Sequence, residues 1–199
     1  MADFRAISVA AHALRALLLD ACAGDYFPGL KCELAAVPGL VTAPFETGLS
    51  IALYRVAFNG NRRALPPRKL NGSRTCKPSV PLDLHFLITA WGKPDKQWAL
   101  LARAIRALED TPVLHAGVLN QSAGNEPGLA ADVFRADEIL EIVGESLSQQ
   151  DLLSIWEPAK STQQPSVSYL VRSVLIDSEI EQFTPLAQTR VFDLAASVP

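Results

Sequence analysis

The sequence predicts one α+β domain, and three observations carry that prediction. Segments 48–58, 82–91 and 166–177 have strand patterning, whereas 2–20 and 95–108 repeat their residues at helical spacing. The chain has 199 residues, 49% of them hydrophobic, and at this length a fold buries roughly 70% of the surface its unfolded chain exposes. No break in the pattern is long enough to be a domain linker. Residues 1–178 are therefore expected to form the domain, and 179–199 an extended C-terminal extension.

The first helix is expected over Ala2 to Asp20. Arg5, Ser8, His12 and Arg15 line one polar stripe, which leaves Ile7, Val9, Leu14, Leu17 and Leu18 to be buried. After a loop through Gly24, Pro28 and Gly29, Lys31 to Val37 is a short strand candidate, ended by Pro38, Gly39 and Pro44. Gly48 to Phe58 sets Leu49, Ile51 and Leu53 on one face and Ala52, Tyr54, Val56 and Phe58 on the other, as a central strand requires. Residues 59–81 hold Pro66-Pro67, Asn71-Gly72, Pro78 and Pro81, a composition that predicts a long exposed loop with no regular element.

Leu82 to Trp91 alternates, with Leu82, Leu84, Phe86, Ile88 and Ala90 facing a core and Asp83, His85, Thr89 and Trp91 opposite. Trp98, Leu101, Ala102, Ile105 and Leu108 define the buried stripe of the next helix, with Asp95 placed to cap it. Thr111 to Asp137 is rich in Gly, Asn and Pro and reads as a mobile surface excursion. Glu138 to Gly144 is a short strand. Ser148-Gln149-Gln150-Asp151 starts a helix running to Trp156 and stopped by Pro158. Ser166 to Asp177, the most β-branched stretch, is a second central strand. In the tail, Val191 to Leu194 is able to pair with another strand. Trp91, Trp98 and Trp156 are all expected to be buried.

Composition excludes several classes. No apolar run reaches the roughly 20 residues that span a bilayer, and Asp3, Arg5, His12 and Arg15 interrupt the start where a leader needs an apolar stretch, so a cytoplasmic protein is expected. Cys22, Cys32 and Cys76 have no Cys-x-x-Cys spacing and are expected as reduced thiols rather than disulfide or zinc ligands. His12, His85 and His115 suggest no shared metal site. No phosphate-binding, dinucleotide-binding, nucleophile-elbow or zinc-protease motif occurs, so neither an enzyme nor a cofactor is expected. Cys76, between Arg74 and Lys77, is the most reactive thiol candidate and supports a weak hydrolase reading, but it lacks a neighbouring base.

Charge is the informative feature. The chain has 18 basic and 21 acidic residues for a net −3, yet seven of the basic ones and no acid fall between Thr47 and Leu82. The remainder carries 11 basic against 21 acidic residues, a net of −10. Six of the seven are Arg62, Arg63, Arg68, Lys69, Arg74 and Lys77, a segment that should direct a field toward a negative partner. Nucleic acid is one such partner and a second copy of this chain is another. The segment has no aromatic residue on which a base could stack.

Taken in order, several segments carry a family resemblance: LSIALYRV at 49–56, Pro66-Pro67-Arg68, PLDLHFLITAW at 81–91, AIRAL at 104–108 before Pro112-Val113-Leu114, Ser148 to Trp156, and PSVSYLVR at 165–172 closing on Leu175 to Ser178. Together they resemble the cap, or tail-terminator, proteins of contractile injection systems, the phage-tail-like particles. The resemblance covers about Ala6 to Ser178 and lies in the order and spacing of the segments. It implies a mixed sheet flanked by helices and a structural role without catalysis: a hexameric ring on the last layer of tube and sheath that ends polymerisation at the end distal to the baseplate. Tube protein, sheath protein and further copies of the chain are the implied partners, with assembly in the cytoplasm and then residence in the particle. In such a ring the basic residues Arg62, Arg63, Arg68, Lys69, Arg74 and Lys77 are expected to meet the acidic body of a neighbour or of a tube layer. Val191, Phe192 and Leu194, within Thr189 to Ala195, are expected to add as a strand to a sheath subunit.

Overall fold

Nine strands and four helices are present among the residues that the computed structural model describes, namely 3–36, 46–62, 65–70, 74–129, 131–157 and 163–183. Helix α1 (Ala6–Cys22) and strand β1 (Lys31–Ala35) come first, followed by β2 (Gly48–Phe58), a 3-10 turn (Gly60–Arg62) and the short strands β3 (Arg68–Lys69) and β4 (Arg74–Cys76). Strand β5 (Val80–Trp91), helix α2 (Pro94–Asp110), β6 (Val113–His115), α3 (Ala116–Gly124) and β7 (Ile139–Glu145) make up the middle of the chain. Helix α4 (Gln149–Trp156), β8 (Ser166–Ile176) and β9 (Glu181–Phe183) complete it. The main sheet has the order β1-β2-β5-β8-β7-β6, and a second, smaller sheet has the order β3-β4-β9. Only β1 and β2 run parallel and the other pairs are antiparallel, so the sheet is mixed, as the family resemblance implies.

The alternation of β5 explains why it lies inside the sheet. Its Leu84, Phe86, Ile88 and Ala90 enter the principal core under α1, α2 and α3. Leu87 and Trp91, on the opposite face, meet Ala52 and Trp156 beneath α4. Each large apolar side chain buried this fully contributes about 1.5–3 kcal/mol. One face of the sheet is thus covered by three helices, whereas the other is covered at one end only.

Two bulges curl the sheet. In β2 the register against β5 shifts between Leu53 and Arg55, which turns Tyr54 and Arg55 to the same side. In β8 the shift falls opposite Asp83, and Ser173 there adopts φ 68°, a left-handed conformation that costs a non-glycine residue energy. The Asp83 carboxylate answers this locally, accepting from Ser173 N at 3.3 Å and from Asn59 Nδ2 at 2.9 Å.

Several expectations need correction. Helix α2 starts at Pro94 with Lys93 as its N-cap, so Asp95 lies inside the first turn and does not cap. Its buried stripe is Gln97, Leu100, Ala104 and Leu108, which leaves Trp98 63% exposed. Gln97 is the reason for the rotation: its Nε2 donates to Ala90 O at 2.7 Å and to Gln164 Oε1 at 2.9 Å, so a polar residue occupies the inward position. Residues 111–137 are no surface excursion, because β6 and α3 lie there and bury Leu114, Leu119, Ala123, Val133 and Phe134. Asn120 fixes that region, accepting from Phe134 N and donating to Phe134 O. On α1, His12 and Arg15 pair with Glu126 in the segment after α3 and so clasp two helices rather than line a solvated stripe. Residues 59–81 contain β3 and β4 and are not a structureless loop. The cap of α4 matches expectation, since Ser148 Oγ accepts from Asp151 N at 3.1 Å.

Candidate assembly surface

The basic segment is built into a β-arm. Strand β4 runs into β5 through residues 77–79, β8 runs into β9 through 177–180, and Lys77 N donates to Ile180 O at 3.2 Å between them. The β5–β8 ladder therefore continues outward as β4–β9, with β3 added on the other side of β4. The six steps from Val80 back to Arg74 extend the arm about 20 Å at ~3.3 Å per residue. Its three strands hold to one another through the β3–β4 and β4–β9 pairings.

Asp177 anchors the arm at its base. Its side chain is 2% exposed and accepts from Arg68 Nη1 at 2.9 Å, Arg135 Nη1 at 2.8 Å and Ser79 Oγ at 2.5 Å. A buried carboxylate requires such partners, and here they come from β3, from the approach to β5 and from the segment before β7. Arg135 also pairs with Glu138 at 2.7 Å.

Alternation divides the arm into two faces. Arg68, Arg74, Cys76 and Glu181 share one face by register. There Arg68 meets Asp177, Arg74 meets Glu181 at 3.5 Å, and Arg68 Nη2 reaches Cys76 Sγ at 3.8 Å. Lys69, Thr75 and Gln182 share the other, and Lys77 and Ile180 follow at alternate positions just past the paired residues, joined by their backbone hydrogen bond. Lys69 and Lys77 are exposed with no ion-pair partner among the described residues, and Ile180 is 56% exposed.

The predicted interface residues thus separate into groups. Arg68 and Arg74 are engaged within the chain, and Lys69 and Lys77 point outward. Arg62 lines a cavity of about 340 Å³ with Phe134, Arg135, Asp137, Glu138 and Ser173, none of them on the arm strands. Arg63, Val191, Phe192 and Leu194 lie outside the described residues. Asp177, Ser79 and Arg135 were not foreseen as members of this site. Their contacts join positions 42 to 109 residues apart, and nothing in the local pattern announces them.

A second polar cluster occupies the less covered face of the main sheet. Tyr54 Oη donates to Glu145 Oε2 at 2.8 Å, Ser168 Oγ reaches the same oxygen at 2.8 Å, and His85 Nδ1 lies 3.0 Å from it. Burial pushes the Glu145 carboxyl up, but the hydrogen bonds from His85, Tyr54 and Ser168 outweigh it, and the group sits below the usual glutamate value. Burial, with the Glu145 charge beside it, pushes the Tyr54 hydroxyl up to about 12. Ser168 meets the carboxylate and not the imidazole, so the relay that activates a nucleophilic serine is not assembled here. Cys76 is 3% exposed, which removes the expectation of an accessible thiol. His12 and His85 pair with different glutamates on different elements. Among the described residues no group of three or more His, Cys, Asp or Glu side chains is arranged to hold a metal, and no helix is long and apolar enough to cross a membrane.

The chain superimposes on the PVC sheath/tube terminator of an extracellular contractile injection system in its extended state with a TM-score of 0.62 and 19% identity, covering 97% of this chain and 65% of that one. It superimposes on the anti-feeding prophage cap, a tube terminating cap, with a TM-score of 0.52 and 17% identity, covering 73% of this chain and 49% of that one. The chain therefore spans about two thirds of the length of the first and about half of the second. No curated protein matches the sequence. Residues 11–189 match the model of the Pvc16 N-terminal domain, and the chain belongs to that family.

Proposed function

We propose that this chain is a terminator subunit of a contractile injection system: a ring of copies sits on the last layer of tube and sheath and ends their growth at the end distal to the baseplate. The observation that carries the reading is family membership over residues 11–189 joined to a fold shared with a sheath/tube terminator along nearly the whole chain. The β-arm supports it, because a strand extension that presents the exposed Lys69 and Lys77 without an ion-pair partner among the described residues offers a contact surface to a neighbour. The role is structural and no enzymatic step is assigned. Assembly takes place in the producing cell, and the subunit then stays in the particle. Six copies match the ring symmetry that the family resemblance implies.

In this reading residues 1–178 form the capping domain. The segment after it begins with β9 on the arm and continues into Thr189 to Ala195, where Val191, Phe192 and Leu194 add as a strand to a sheath subunit. Arg62 and Arg63 contribute to the neighbour contact. The nucleic-acid reading loses its support, since the returning strand sets Asp177 and Glu181 against Arg68 and Arg74. Electron microscopy of particles made without the protein provides the test. The reading expects tubes and sheaths of widely variable length, and an unchanged length distribution would contradict it. Truncation after Phe183 should weaken sheath attachment more than tube attachment, and equal loss of both would count against the strand addition.

A further inference from the structure

We infer that the outward face of the β-arm docks on the exposed face of β7 in a second copy of this chain. The inference rests on the capping-ring reading above and names the two surfaces that would join its subunits. The first surface is Lys69, placed by register with Thr75 and Gln182, together with Lys77 and Ile180, which lie opposite one another just beyond the paired residues through the Lys77 N to Ile180 O hydrogen bond. Both lysines are exposed and without an ion-pair partner among the described residues, while the arm's other face is occupied by the Arg68–Asp177 and Arg74–Glu181 pairs.

The second surface follows from how the sheet is covered. Along β7, Leu140 and Ile142 point into the principal core and are buried. Ile139, Glu141 and Val143 alternate onto the opposite face, where α4 covers only the Ala52, Leu87 and Trp91 end. Ile139 is 44% exposed and Val143 41%, an unusual exposure for β-branched residues in an interior strand. Acids flank them. The Asp137 side chain is 84% exposed with Arg135 at 3.7 Å, and that of Glu141 is 47% exposed with Arg172 at 3.8 Å. Both distances exceed charge-assisted hydrogen bonding, so much of the negative field remains available.

The two surfaces are complementary in kind: the arm sets Lys69 and Lys77 beside Ile180, and the β7 face sets the exposed Asp137 and Glu141, each only loosely paired with an arginine, beside Ile139 and Val143. They are also different patches of one chain. A contact between them is heterologous: each copy offers its arm to one neighbour and its β7 face to another, the geometry that closes into a ring. Glu145, next along β7, is held by His85, Tyr54 and Ser168 and takes no part.

A paired charge reversal tests the contact. Lys69→Glu with Lys77→Glu makes an arm variant whose arm and face are both negative, and Asp137→Lys with Glu141→Lys makes a face variant whose arm and face are both positive. The full chains are followed by sedimentation in low salt, with thermal melts to confirm folding. The wild type should self-associate. Each variant alone should associate at least about tenfold more weakly, and an equal mixture should recover association, because every arm in an alternating assembly then meets a face of opposite sign. If the arm reversal fails to melt cooperatively, Lys69→Gln with Lys77→Gln replaces it, and if the face reversal fails, Asp137→Asn with Glu141→Gln does; a comparable loss is expected of either. A monomeric wild type, variants that assemble unimpaired, or a mixture that stays apart would each overturn the inference. The mixture measures only the contact between copies, so recovered pairing together with uncontrolled particle length would remove the capping reading while this surface stands.

Discussion

Replacing Asp177 by alanine should detach the β-arm and destabilise the whole domain. The carboxylate is 2% exposed and is shared by Arg68 and Arg135, whose side chains are 20% and 29% exposed. Removing one member of a buried ion pair costs about 3–5 kcal/mol because the remaining charge is left without compensation. The guanidinium groups keep partial access to water, and Arg135 retains Glu138, so the loss here should be about 2–4 kcal/mol. For a domain of this size that lowers the melting temperature by about 4–16 °C. Trp91 and Trp156, both buried and 6.3 Å apart, make tryptophan fluorescence in a urea titration a direct readout. Hydrogen exchange should add a local signature, with the amides of β4 and β9 exchanging faster while those of β5 and β8 stay protected. Asp177→Asn keeps an acceptor for Ser79 and should cost less than the alanine change. A loss below about 0.5 kcal/mol, the range typical of surface substitutions, would refute the assignment of Asp177 as the anchor.

Three further outcomes follow from the same contacts. Glu145 is held below the usual glutamate value in the fold, so the stability it adds is present above its unfolded pKa and is lost as pH falls through the folded one. Glu145→Gln should therefore flatten the decline in stability below about pH 4.5, and acid titrations of the two chains that superimpose would count against the cluster. Ser148→Ala removes the cap of α4 and should cost about 1 kcal/mol in chemical denaturation. Trp98→Ala, at a side chain 63% exposed, should change stability by no more than about 0.5 kcal/mol, whereas the loss on Trp91→Ala should be about 3–5 kcal/mol.

Where local pattern and tertiary packing agree, the fold was legible from the sequence. The β5 alternation assigns Leu84, Phe86 and Ile88 to one core and Leu87 and Trp91 to the other face, and β2, β8 and the α4 cap appear where propensity puts them. Helix α2 was read nearly a position out of phase, because Gln97 is polar by composition yet fills an inward site once its amide reaches the Ala90 carbonyl. Helix α3 was missed because Gly117, Asn120 and Gly124 weaken its propensity, and tertiary contacts such as Asn120 with Phe134 supply what it lacks. The basic segment was seen as a charge run but not as an arm. Strands β3 and β4 are only two and three residues long, and they exist because β9 and Asp177 return from more than 100 residues downstream. Such long-range closure leaves no periodic trace in the segment itself.

The most direct measurement of the central claim is the position of the chain on an intact particle. Particles carrying a tagged copy and imaged with a gold-conjugated label should show label at one end only, the end opposite the baseplate, on both tube and sheath. Label along the length of the particle, at the baseplate, or absent from purified particles would contradict the account.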